Sequence, residues 1–221
     1  GHTFNTQEGD DELRFTASSA PASHSIWQAG GGSDRLIADL SSATQAVNLD
    51  FYNAGSSFRI DIGGYTALAG SDLERATASG GSGNDRLSGS NGNDVFAGNG
   101  GNDSLIGGGG DDRLEGGEGD DSLAPGSGVD WIDGGSGNDD AALYLDTETA
   151  AVSFSTQAAA SAGGLTLVDG THVRDVERIY MLTGSGNDVV ELTTGGGHTF
   201  NTQEGDDELR FTASSAPASH S

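Results

Sequence analysis

An aspartate returns every nine residues from Asp85 to Asp139, always two positions after a glycine. The stretch reads GGSGNDRLS, GSNGNDVFA, GNGGNDSLI, GGGGDDRLE, GGEGDDSLA, PGSGVDWID and GGSGNDDAA, seven nonapeptides without a gap from Gly80 to Ala142. Position six is held by Asp85, Asp94, Asp103, Asp112, Asp121, Asp130 and Asp139. Single copies of the same turn stand at Asp34, Asp188 and Asp207, and Asp11 duplicates the last of these. Carboxylates at fixed spacing, with turn carbonyls beside them, offer an all-oxygen ligand set. Such a set selects calcium over zinc, and over magnesium, which prefers to keep its waters.

The carboxylates need elements to hold them. Position eight is Leu87, Phe96, Leu105, Leu114, Leu123, Ile132 and Ala141, so six of seven are large and apolar. Three residues around it make one short strand whose flanking side chains face the other way. The preceding GGxGx is a turn in which glycine supplies positive φ and close backbone approach. Two repeats close one coil of 18 residues, and successive coils stack as parallel strands about 4.8 Å apart. No coil has a core until another lies on it. Stacking aligns Asp85, Asp103, Asp121 and Asp139 in one column and Asp94, Asp112 and Asp130 in a second. At roughly 5 Å and an effective dielectric near 20, each bare neighbouring pair repels by about 3 kcal/mol. Calcium between neighbours reverses that sign, and columns of four and three aspartates leave room for about five ions, with others expected at the isolated copies.

Composition agrees. The 221 residues hold 38 glycines, 33% hydrophobic residues and a net charge of −25. A chain so polar and so charged buries too little apolar surface to offset its conformational entropy unless something neutralises it. Acidity argues against nucleic acid or anionic membrane as partner. No Cys excludes disulfides and thiolate metal sites, and the absence of Lys excludes a Walker loop or a Schiff base. No apolar run approaches a membrane span. The first residues show no signal-peptide pattern, which leaves a fragment or an export signal elsewhere.

Longer periods overlie the short one. Residues 1–25 recur unchanged as 197–221, an offset of 196, the pattern of one period of a tandem array running into the next; a duplicated end is the plainer alternative. Inside the period, SDLERATASGGSGND resembles RDVERIYMLTGSGND, with Asp72 to Asp85 and Asp175 to Asp188 each thirteen apart. Val47, Leu49 and Phe51 alternate, as do Phe58, Ile60 and Ile62, then Val152 and Phe154, a strand signature. The expected organisation is a coil set at 1–28, wider β-helix coils with one turn copy at 29–79, the seven-repeat roll at 80–142, a second wider segment at 143–182, and turn-copy coils at 183–221 that open the next period.

The nonapeptide GGxGxDxUx, with U large and apolar, resembles the repeats-in-toxin (RTX) family. The resemblance implies an all-β, right-handed parallel β-roll or β-helix solenoid stabilised by calcium, bacterial origin, type I export and folding outside the cell. Pro125 at position one, Ser90 and Asn99 at position two, and Ala141 in the core depart from the pattern. The DLER and DVER stretches look like segments that flank calcium arrays in very large bacterial surface proteins.

The expected role is a non-enzymatic, calcium-dependent extender or filament unit of a secreted or cell-surface protein (adhesin, sheath or surface layer), its partners being calcium and identical units stacked head to tail, with lateral association a further option. Two other readings stand beside it: an accessory region of a secreted protease, lipase or epimerase, and a glycan or host-cell binding module using outward Trp131 and Val95. Packing of Trp131 against a neighbouring segment is the plainer expectation. Glu74 and Glu177 read as solvated or locally paired carboxylates rather than ligands. The histidines, His2, His24, His172, His198 and His220, read as surface or turn residues, and the Asn102 sequon as unused because Asp103 is a proposed ligand in a tight turn.

Overall fold

A computed structural model describes residues 3–19, 25–52, 57–193 and 197–212. His2, His24 and His220, and part of each 25-residue duplicate, lie outside the described residues. The rest is almost wholly β, in sheets of eleven, eight and three strands whose pairings are mostly parallel.

Each coil gives one strand to either face of the roll. Arg86–Ser88, Ser104–Gly109, Ser122–Ser127 and Asp140–Leu145 stack on one face. Arg75–Ser79, Val95–Gly100, Arg113–Glu118 and Trp131–Ser136 stack on the other. The register advances by 18 residues per coil, with Leu87, Leu105, Leu123 and Ala141 in line on the first face and Phe96, Leu114 and Ile132 on the second. All seven position-eight residues are at most 2% exposed. The strands run on into the glycines that follow, so one large side chain per repeat fills the space between the two faces, and Ala141 is followed in register by Ile179.

The segments around the array are not simply wider coils. Val47–Tyr52, Ser57–Ile62 and Tyr65–Ser71 form an antiparallel meander within the eleven-stranded sheet, a pairing that period-two alternation does not distinguish from a parallel one. Its inward residues Val47, Leu49, Phe58, Ile60 and Ile62 are buried. Phe58 meets Trp27 edge-on at 6.1 Å, an approach allowed by Gly70, whose added Cβ would stand 2.5 Å from Phe58. On the far side, a single helical turn at Thr156–Ala159 and an antiparallel pair, Leu165–Thr166 with His172–Arg174, interrupt the parallel stack. No helix among the described residues is long and apolar enough to cross a membrane.

Candidate metal centre

Every position-six aspartate lies immediately before a strand, and its side chain turns inward between coils. Asp85, Asp94, Asp103, Asp112, Asp121, Asp130 and Asp139 are all at most 4% exposed. Each carboxylate reaches back one coil: Asp103 Oδ1 accepts the Asp85 N–H at 2.7 Å, Asp121 that of Asp103 at 2.7 Å, and Asp139 that of Asp121 at 2.8 Å. In the second column Asp112 takes the Asp94 N–H and Asp130 that of Asp112. The two expected columns therefore exist. Amides relieve part of the repulsion that bare charges would suffer, a contribution that spacing alone does not reveal.

The isolated copies join these ladders. Asp34 Oδ1 accepts the Asp11 N–H at 2.7 Å, Asp188 Oδ1 that of Val152 at 2.8 Å, and Asp207 Oδ1 that of Asp188 at 2.9 Å. Asp34 and Asp188 are buried, Asp11 is half-buried and Asp207 is exposed. All eleven aspartates keep a ladder role, but burial weakens at the outermost coils because no further coil covers them.

One oxygen of each of these carboxylates except that of Asp11 is thus spoken for. The Oδ2 oxygen is buried without a hydrogen-bond partner in Asp11, Asp34, Asp103, Asp112, Asp121 and Asp139. In Asp103, Asp112, Asp121 and Asp139 it sits against the position-one glycine of its own repeat. A Cβ added to Gly116 would lie 2.3 Å from Asp121 Oδ2 and 2.4 Å from the Gly134 carbonyl oxygen of the next coil, so a side chain there would displace the carboxylate. Burial pushes these acids up, to about 6 for Asp94 and Asp139, about 7 for Asp103 and about 8 for Asp112, and in the same direction for Asp85, Asp121 and Asp130. Burial favours the protonated form of a carboxyl so placed, and a cation beside it restores the charged one. Orphaned oxygens beside main-chain carbonyls fit a hard divalent ion. Among the described residues no three carboxylate or imidazole side chains converge, so such an ion would draw on Asp oxygens from the ladder and on turn carbonyls, and would supply the missing positive charge.

Several ladder members escaped the sequence pattern. Glu74 Oε2 accepts the Asp34 N–H at 2.7 Å and Glu177 Oε2 that of Asp139 at 2.9 Å, so each stands where an aspartate would. Both are thus paired carboxylates, Glu74 exposed and Glu177 half-buried, and each is paired to an amide of the ladder rather than to a neighbour in sequence. The Asp130 N–H goes to Thr171 Oγ1 at 3.1 Å, and the Ile179 N–H to His198 Nδ1 at 3.2 Å. Burial lowers the basicity of His198, a half-buried residue of the connection before Thr199–Asn201 that accepts a strand amide. A second, exposed ladder runs through position five in the opposite sense, in which Asn84 Oδ1 accepts the Asn102 N–H, and Asn102 and Asp120 continue it. The recurrence of Asn or Asp at position five was its signal. Asn102 of the sequon is one rung of it.

Among the described residues the outer faces carry no comparable set of buried, unpartnered carboxylates. Trp131 is sandwiched between His172, stacked at 4.3 Å, and the guanidinium of Arg113 at 5.0 Å from its ring centre, as packing predicts. Arginines pair along the sheets, Arg35 with Glu12, Arg174 with Asp133 and Arg178 with Asp140.

The family model for the RTX calcium-binding nonapeptide repeat (4 copies) matches residues 79–114 and 106–141. No curated protein matches the chain.

Proposed function

Residues 79–141 are RTX calcium-binding repeats, and from that premise we propose that the chain is a calcium-dependent, non-enzymatic extender segment of a large secreted bacterial surface protein. It would leave the cell unfolded by a type I route and fold on extracellular calcium. The observation that carries this reading is the use made of the duplicated coil. Thr3–Asn5 and Glu12–Thr16 pair with the coil that follows them, along Ile26–Gln28 and Arg35–Asp39. Their duplicates, Thr199–Asn201 and Glu208–Thr212, pair with the coil that precedes them, along Tyr180–Leu182 and Val189–Thr193.

The two sets of contacts are complementary. Asp11 offers its N–H forward to Asp34, while its duplicate Asp207 offers its carboxylate backward to Asp188. Leu209 and Phe211 are 52% and 73% exposed, whereas their duplicates Leu13 and Phe15 pack against the core. One coil can therefore satisfy both neighbours at once, and a next period beginning with the equivalent of Ile26 would cover the exposed pair. Tandem periods joined this way form one uninterrupted rod. An accessory role beside a secreted catalytic domain has no comparable support, and both faces of Trp131, the ring on which a glycan platform would rest, are covered.

The test is calcium titration followed by circular dichroism and small-angle scattering, on this chain and on two fused periods. Folding with calcium, and a rod that lengthens by a full period without a bend, are expected. A compact β-rich chain in excess chelator, or two periods that articulate freely, would overturn the reading.

A further inference from the structure

The DLER and DVER motifs build the same local structure twice. Within the array six residues, Gly134 to Asp139, separate register positions Asp133 and Asp140; Asp175, Val176 and Glu177 cover the same interval with three, because Asp133 is in register with Arg174 and Asp140 with Arg178. Asp72, Leu73 and Glu74 do likewise between Ser71 and Arg75. The shortening is achieved by a left-handed aspartate, φ 60° at Asp72 and 49° at Asp175, conformations that Asp tolerates better than most residues. Leu73 and Val176, 1% and 0% exposed, fill the volume vacated by the missing glycines. The extra methylene of glutamate then lets the carboxylate reach the ladder N–H from a backbone that has been cut short.

What the short turn retains is the oxygen set. Asp139 is fully buried and its Oδ2 has no partner. The point where a Gly134 side chain would begin lies 2.8 Å from that oxygen and 1.9 Å from the carbonyl oxygen of Asp175. Within the array the same point at Gly116 is flanked by Asp121 Oδ2 and the Gly134 carbonyl. Glu177 adds a carboxylate with one oxygen on the Asp139 amide, the division of labour seen in the ladder aspartates. At the other junction Asp34 is equally buried, its Oδ2 equally orphaned, and Glu74 holds its amide.

We infer that the two short turns are cation sites in their own right, with Glu177 completing a calcium site on Asp139 and the Asp175 carbonyl, and Glu74 completing its counterpart on Asp34. The glutamate carboxylate replaces the carbonyls lost with the glycines, so the metal column continues across the change from nonapeptide coils to longer ones. This rests on the calcium reading above.

Glu177→Gln and Glu74→Gln keep an acceptor for the ladder N–H and remove only the charge. Calcium counted by equilibrium dialysis and calorimetry on the full chain should fall by one ion per substitution and by two in the double variant. Glu115→Gln, which breaks only the outer pair with Arg113, should leave the count unchanged. An unchanged count in the folded glutamate variants overturns the inference. Should the variants fail to fold, anomalous diffraction from wild-type crystals grown with terbium decides. A peak beside Asp139, the Asp175 carbonyl and Glu177 supports the site. Peaks along Asp103 to Asp121 with none at Glu177 overturn it alone, and no peak at either place overturns the calcium reading as well.

Discussion

The first two turns of the array and those that follow handle the same aspartate differently. In the first two, the position-two amide points at the carboxylate: Gly81 and Ser90 donate to Oδ2 of Asp85 and Asp94 at 2.7 Å. From the third repeat on, position two takes positive φ, 75° at Asn99, 115° at Gly108, 114° at Gly117 and 99° at Gly135. There Oδ2 of Asp103, Asp112, Asp121 and Asp139 is left without a donor. Burial raises all of these acids; the Ser90 amide opposes it at Asp94, at about 6, neighbouring aspartate charges add to it at Asp103 and Asp112, at about 7 and about 8, and Asp139 stands at about 6. One peptide rotation decides whether a buried carboxylate is met by the main chain or left for a cation. On the calcium reading, the later turns, whose buried oxygens lack a donor, are expected to depend most on metal for folding.

Removing calcium should have the largest effect and should separate the regions. In excess chelator at pH 8 we expect loss of most β signal by circular dichroism, with hydrogen exchange fastest from Asp103 onward and slower around Asp85 and Asp94; uniform exchange would break the contrast.

Acid should act next most strongly. The folded carboxyls titrate above the unfolded value of about 3.9, so without metal their contribution to stability is fully present below that value and is lost as pH rises through 6 to 8. The chelated chain should therefore regain structure on acidification from pH 8 to 5, while calcium affinity falls over the same range because protons compete for the same oxygens. An affinity independent of pH between 6 and 8 would contradict the burial of these groups.

Single substitutions sharpen the comparison further. Asp112→Asn should raise the calcium midpoint by about tenfold or more, about 1.4 kcal/mol per factor of ten, and Asp94→Asn by much less, as read from paired titrations; equal shifts would refute the distinction. The smallest effect is expected from Ser90→Gly, which frees position two to adopt the later conformation. It should improve calcium affinity a few-fold while slightly lowering stability in chelator, because the Ser90 bond to the Glu74 carbonyl is lost.

Much of this was legible in the chain. Position eight pointed to the core and position six to the buried carboxylates. These follow from contacts that repeat every nine or eighteen residues, so the same local chemistry is printed again and again. Asn99 shows the limit of reading by type: it departs from the glycine rule at position two yet adopts the same positive φ, its Nδ2 bonding the Gly80 carbonyl at 2.8 Å. The meander at 47–71 escaped because alternating residues bury one face whether the partner strand runs parallel or antiparallel.

The sequence by itself determined the strand, the turn and the recurring acid, because a short period leaves one way to stack identical units. Only the tertiary structure decided which other residues enter the ladders. Glu74 lies 40 positions from Asp34, Glu177 38 from Asp139 and Thr171 41 from Asp130, separations that no fixed period announces. They meet because the coils between them differ in length while the strands remain in register, and an amide left facing a buried gap takes whichever oxygen the next coil brings within reach.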